Sequence, residues 1–118
     1  MISSLDESLA MLHKYEEERR PIWFSISVAG VFFVSNGLVS EVSETSLKLA
    51  PHVGGEVLIL WDIFDVATVE YFEPRDVPRE YLSAFMVERD GPLAAFWRIT
   101  SSREGLGVGC LLLGVFAA

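Results

Sequence analysis

The chain has 118 residues, 51% apolar and 22% charged, and its 9 Lys plus Arg against 17 Asp plus Glu leave a formal charge of −8. That length supports a single domain over residues 1–118, and the apolar content, which includes 8 Phe, 3 Trp and 3 Tyr, excludes an intrinsically disordered chain. The basic residues are scattered, with only Arg19 and Arg20 adjacent, so nucleic acid and anionic membrane surfaces are not expected as partners.

A single cysteine, Cys110, permits no internal disulfide, and beside Gly109 and Leu111 it reads as a small buried hydrophobe. A reducing, cytoplasmic location is the expectation. Residues 1–20 are acidic where an export signal needs a basic and then an apolar stretch. The longest apolar tract, residues 105–118, is shorter than the roughly 17–25 residues of a membrane span and reads as a core strand.

Residues 3–20 are predicted helical. Ser4 and Glu7 have capping-box spacing, Leu5, Leu9, Leu12 and Tyr15 form one apolar stripe, and Pro21 ends the helix. From Ile22 the period becomes two: Ile22, Phe24, Ile26 and Val28 alternate with Trp23, Ser25, Ser27 and Ala29. Gly30 allows a bend or bulge, and Asn36-Gly37 suits a tight hairpin. Residues 38–43 continue extended, residues 43–46 turn, and Leu47-Lys48-Leu49 alternates again. After the loop 51–55, the apolar run 57–61 suits a central strand buried on both faces. A further strand is expected near residues 66–72, broken by Pro74 and Pro78.

Residues 79–100 admit two readings. Tyr81, Leu82, Phe85 and Met86 fit a helical stripe with Pro78 near its start. Residues 82–89 and 93–100 also fit a hairpin around Asp90-Gly91, which we favour because the two segments match in length. Residues 101–105 turn, and residues 108–116 form a last apolar strand.

Chemistry-bearing patterns are sparse. His13 and His52 lack a metal-ligand spacing, Cys110 sits among aliphatics, and no serine lies in a nucleophile elbow, so no catalytic or metal residue is assigned and no cofactor is expected. Asp62, Asp65, Glu70 and Glu73 form the densest carboxylate group outside the helix. They would serve an enzyme only by meeting in a cleft, and as solvated or edge-protecting charges otherwise. Gly105, Gly107 and Gly109 have GxG spacing without the rest of a dinucleotide fingerprint. The aromatic residues, Trp23, Trp61 and Trp97 among them, read first as core and second as pocket lining.

The helix ending in Glu18-Arg19-Arg20, the strand after it and the segment 37–49 together resemble two small β-barrel families, the Sm-like and the PilZ domains. The PilZ resemblance implies a barrel that binds cyclic di-GMP through RxxxR and [DN]xSxxG. Here Trp23 stands where the second Arg belongs, and residues 41–46 lack both the leading Asp or Asn and the closing Gly. In the Sm-like comparison, residues 43–46 lack the Asp and Asn that frame RNA contacts. The resemblance therefore implies a fold without its signature binding residues.

The expected fold is α+β: an N-terminal helix packed on a strongly bent antiparallel sheet or partly open small β-barrel. The expected function is a non-catalytic protein-binding or assembly module, its partner being itself, as a homo-oligomer, or another protein. The alternative is a small-molecule (nucleotide) sensor resembling a degenerate PilZ domain. There Arg19 and Arg20 would grip phosphates while Trp23 stacks on a base.

Overall fold

The computed structural model describes residues 2–28, 31–84, 93–102 and 109–117. A two-residue strand, β1 (Ile2–Ser3), leads into helix α1 (Leu5–Glu17) through Ser4, whose hydroxyl accepts the Glu7 amide at 3.1 Å. This satisfies one of the free donors of the first turn, as the capping-box spacing predicts. At the other end the Arg19 amide donates to the Glu16 carbonyl at 3.0 Å and the Arg20 amide to the Tyr15 carbonyl at 3.2 Å. With Arg19 at φ 52°, this is a Schellman closure built on an arginine where glycine is usual. Pro21 then starts the next strand.

The remaining strands are β2 (Pro21–Val28), β3 (Val31–Val42), β4 (Ser46–Pro51), β5 (Val57–Leu60), β6 (Val66–Phe72), β7 (Leu93–Ser101) and β8 (Cys110–Phe116). A one-turn helix, α2 (Trp61–Phe64), joins β5 to β6, and a 3-10 turn (Pro74–Asp76) and helix α3 (Arg79–Ala84) follow β6. All strands belong to one antiparallel sheet in the order β1-β6-β7-β8-β2-β3-β4-β5. It is open, with β1 and β5 as its outer strands, and it bends at register shifts in the pairings β3 with β4, β6 with β7 and β7 with β8.

The two-residue period sorts side chains between two cores. On the inner face Ile22, Phe24, Leu47, Leu49, Trp97, Ile99, Leu111, Leu113 and Val115 are buried against Leu9 and Leu12 of α1. On the outer face Leu93, Phe96 and Leu112 are covered by Val77 and Leu82, with Trp23, Phe72, Tyr81 and Phe116 packed around them. The central strands β7 and β8 are thus buried on both sides, and α3 is what closes the outer one.

Three expectations are corrected. Asn36-Gly37 makes no hairpin: β3 runs straight through it, because Gly37 pairs with Ile22 on one side and Pro51 on the other. A Cβ on Gly37 would meet the Ala50 carbonyl oxygen at 2.0 Å, so the residue is required by close backbone approach. Residues 57–60 form an outer strand, where a central one was expected. Residues 82–84 are helical, so the favoured hairpin does not start there; Asp90-Gly91 and residues 85–89 lie outside the described residues. The reason is the flat apolar outer face: Tyr81 stacks on Phe96 at 5.9 Å and meets Phe72 edge-on at 6.3 Å, which a helical turn after Pro78 allows.

Candidate functional site

The turn after β3 is built by Ser43. Its hydroxyl accepts the Ser46 amide at 3.0 Å and the Thr45 amide at 3.3 Å, and its own amide donates to the Ser46 carbonyl at 2.9 Å. This turn anchors the far end of β5. The Trp61 amide donates to the Thr45 carbonyl at 3.0 Å, and the Trp61 indole N–H donates to the Ser43 carbonyl at 3.3 Å.

α2 is fixed at its other end as well. Asp65 adopts a left-handed φ of 60°, and its carbonyl accepts the Ser102 amide at 2.7 Å and the Ser102 hydroxyl at 3.1 Å. The Ser101 hydroxyl donates to the Phe64 carbonyl. The segment from β5 through α2 is therefore held at both ends by main-chain acceptors.

What this held segment presents is apolar. Val53 is 86% exposed, Leu58 54%, Leu60 40% and Ile63 59%, while the other exposed large hydrophobics among the described residues, Met11 and Phe33, lie elsewhere. Leu58 and Leu60 share a face because they are two apart on a strand, and the inward Ile59 between them is buried. As an outer strand, β5 pairs among the described residues with β4 alone, so no described strand takes up the backbone donors and acceptors of its other side. Edge strands are ordinarily blunted by shortness, lysine, proline or a bulge; β5 is only four residues long but contains no lysine, proline or bulge. The combination of free ladder groups and exposed leucines is what strand addition by another chain requires.

The residues singled out from sequence fall elsewhere. Arg20 is paired with Glu18 at 3.0 Å and lies 6.0 Å from the Tyr15 ring, on the α1 side of the sheet. Trp23 belongs to the outer core, edge-on to Phe116 at 6.0 Å, so the structure does not bring Arg20 and Trp23 together. Arg19 is occupied in the helix closure through its backbone. Among the carboxylates, Glu70 binds Arg98 at 3.0 Å, Asp62 lies in α2 and Asp65 caps its end, and Glu73 precedes the 3-10 turn. No group of three metal-ligating side chains occurs among the described residues.

His13 is paired with Glu16 and Glu17 on the helix surface, and His52 is exposed in the loop before β5. Of the GxG segment, only Gly109 is described, where its carbonyl accepts the Ser101 amide at 2.8 Å.

No family model, no curated protein and no solved structure matches this chain.

Two polar features remain on the outer face. Burial alone would lower the Arg98 guanidinium, but its hydrogen bond to the Cys110 side chain and the nearby Tyr81 and Glu70 outweigh that and hold it above its ordinary value. The ring of Tyr81 lies 5.9 Å from that guanidinium, so the pair closes one border of the outer core. A cavity of about 260 Å³ is lined by Pro74, Arg75, Val77, Arg79 and Leu82, with two exposed guanidinium groups over a buried aliphatic floor. Sequence reasoning missed the exposed edge because an unbroken apolar run looks the same whether a strand is central or outer. The available signal was Gly54-Gly55-Glu56 before the run and Asp62 after it: punctuation this close on both sides leaves room for a strand of at most five residues, a usual edge length.

Proposed function

We propose that the chain is a non-catalytic protein-binding or assembly module that engages its partner by strand addition at β5. The supporting observation is the concentration of exposed aliphatic side chains on residues 53–63, beside an outer strand that carries no lysine, proline or bulge and whose second side pairs with no described strand. Both a second copy of the chain and a different protein are partners of this kind, and a cytoplasmic setting accords with the single free cysteine. The sheet as a partly open barrel belongs to the same proposal: α2 spans from β5 to β6 while Ser102 ties its end to β7, which curls the β5 edge toward β6. Among the described residues, no helix is long and apolar enough to cross a membrane.

The test is site-specific photocrosslinking in the cells of origin, with a benzophenone amino acid placed singly at Leu58, Leu60 or Ile63 and, as a control, at the exposed Glu17 of α1. Discrete adducts from the three edge positions and none from Glu17 are expected. Equal yields from all four positions would discard the reading.

The second reading, a small-molecule (nucleotide) sensor, finds its support in the cavity rimmed by Arg75 and Arg79, where two guanidinium groups suit a phosphate. Native mass spectrometry with added cyclic dinucleotide separates the two. A bound mass lost in Arg75→Ala/Arg79→Ala favours the sensor, and a bare spectrum favours the module.

A further inference from the structure

The charge around the β5 edge bears on which partner fits it. From residue 41 to residue 65 the chain carries the carboxylates Glu41, Glu44, Glu56, Asp62 and Asp65 against a single lysine, Lys48. All of these carboxylates are exposed, and Lys48 is already shared by Glu41 at 3.7 Å and Glu56 at 3.8 Å. Glu56 immediately precedes β5 and Asp62 follows it by two residues, so both ends of the edge are negative.

A second copy of the chain fits this edge poorly. Pairing about a two-fold axis is antiparallel and self-complementary, and the register that opposes all four residues of β5 sets Glu56 of one copy opposite Trp61 of the other, next to Asp62. Like charges placed across a strand pair are unfavourable. A strand with a cation at each end fits in either direction, because both ends of β5 are acidic.

We infer that β5 accepts an extended segment of a different protein, with apolar residues at alternate positions beside Leu58 and Leu60 and Lys or Arg at both flanks. This inference rests on the reading of β5 as a docking edge and adds the chemistry of what docks there. Affinity comes from main-chain ladder bonds and the two leucines, and selection among apolar strands comes from the flanking charges.

The experiment is selection of a phage-displayed library of nonapeptides, random at all positions, against the full-length chain. A parallel selection uses Leu58→Lys/Leu60→Lys, and sedimentation equilibrium is run on both proteins. The expected result is enrichment of peptides with alternating apolar residues and Lys or Arg at both ends, absent from the double variant. Synthetic versions with those cations replaced by Glu should bind about tenfold more weakly, a gap that narrows as salt is raised.

Enriched edge binders without a basic bias, or with an acidic one, would overturn the charge argument while leaving the docking edge intact. A dimer of the unmodified chain that the double variant abolishes would also leave the edge intact and replace the foreign segment with a second copy. Peptides that bind the double variant equally, or no enrichment together with a monomer, would overturn the docking edge itself.

Discussion

Replacing Gly37 by alanine tests the close approach of β3 to β4. The new Cβ would lie 2.0 Å from the Ala50 carbonyl oxygen and 2.7 Å from the Pro51 Cα, both main-chain atoms that no rotamer change can move. Carbon–oxygen contacts settle near about 3.3 Å, so the two strands must part by roughly 1.3 Å at this point. Such a shift breaks the ladder around the pairs Gly37–Pro51 and Leu38–Ala50. Losing about two ladder bonds at about 1 kcal/mol each, together with about 2 kcal/mol of overpacking strain, gives a destabilisation of about 4 kcal/mol. For a domain of this size that corresponds to a Tm lower by roughly 12–16 °C. The assay is thermal and urea unfolding followed by circular dichroism. Gly55→Ala is the control, since nothing lies within 4 Å of its would-be Cβ. A Gly37→Ala protein that melts within about 3 °C of the parent would refute the claim that backbone proximity dictates this glycine.

Arg19 holds a left-handed φ of 52°, so Arg19→Gly should stabilise the chain by about 1 kcal/mol, seen as a higher urea midpoint. Trp61→Phe removes the indole bond to Ser43 and should cost about 1–2 kcal/mol in the same measurement. The edge pair behaves oppositely: Leu58→Lys/Leu60→Lys should change unfolding by less than about 1 kcal/mol, because both side chains are already largely in water. Alkaline titration reports on the two half-buried tyrosines. Burial, helped by Glu73 and Tyr15, raises Tyr71, and burial raises Tyr81 although Arg98 opposes it. A raised folded pKa favours the protonated phenol in the folded state. Its contribution is therefore complete below the ordinary value of 10.0 and declines as pH rises through the folded value. Urea midpoints measured upward from about pH 9 should fall, and the fall should be shallower in Tyr71→Phe and Tyr81→Phe.

Local chemistry explains how much of this fold could be read ahead of the structure. Ser4, Glu7 and Pro21 delimit α1 because capping and the missing proline N–H act within a few residues, and the Ile22, Phe24 alternation marks β2 for the same reason. Asn36-Gly37 misled because glycine answers two demands, a turn and a close approach, and only the position of Pro51 in the neighbouring strand distinguishes them. Tyr81 and Leu82 satisfied either period, and the choice was made by the ring of Phe96 on β7, a contact that depends on tertiary assembly. The candidate site was the least legible part. Whether Leu58 faces water depends on β5 being outermost, and that order is decided by how β8 inserts between β2 and β7, far along the chain.

That same strand order bears on biosynthesis. β8 pairs with both β7 and β2, and among the described residues no other strand joins the β2–β5 half of the sheet to β6 and β7. During translation, β2 through β4 can form as a meander well before β8 is made, leaving Ile22 and Phe24 on an open edge meanwhile. With synthesis at roughly 5–20 residues per second, that interval from the end of β4 to the end of β8 lasts on the order of 3–13 s. A nascent chain stalled before Cys110 therefore carries two sticky half-sheets that no strand pairs to each other, a species that chaperones must shield and that proteases can clear.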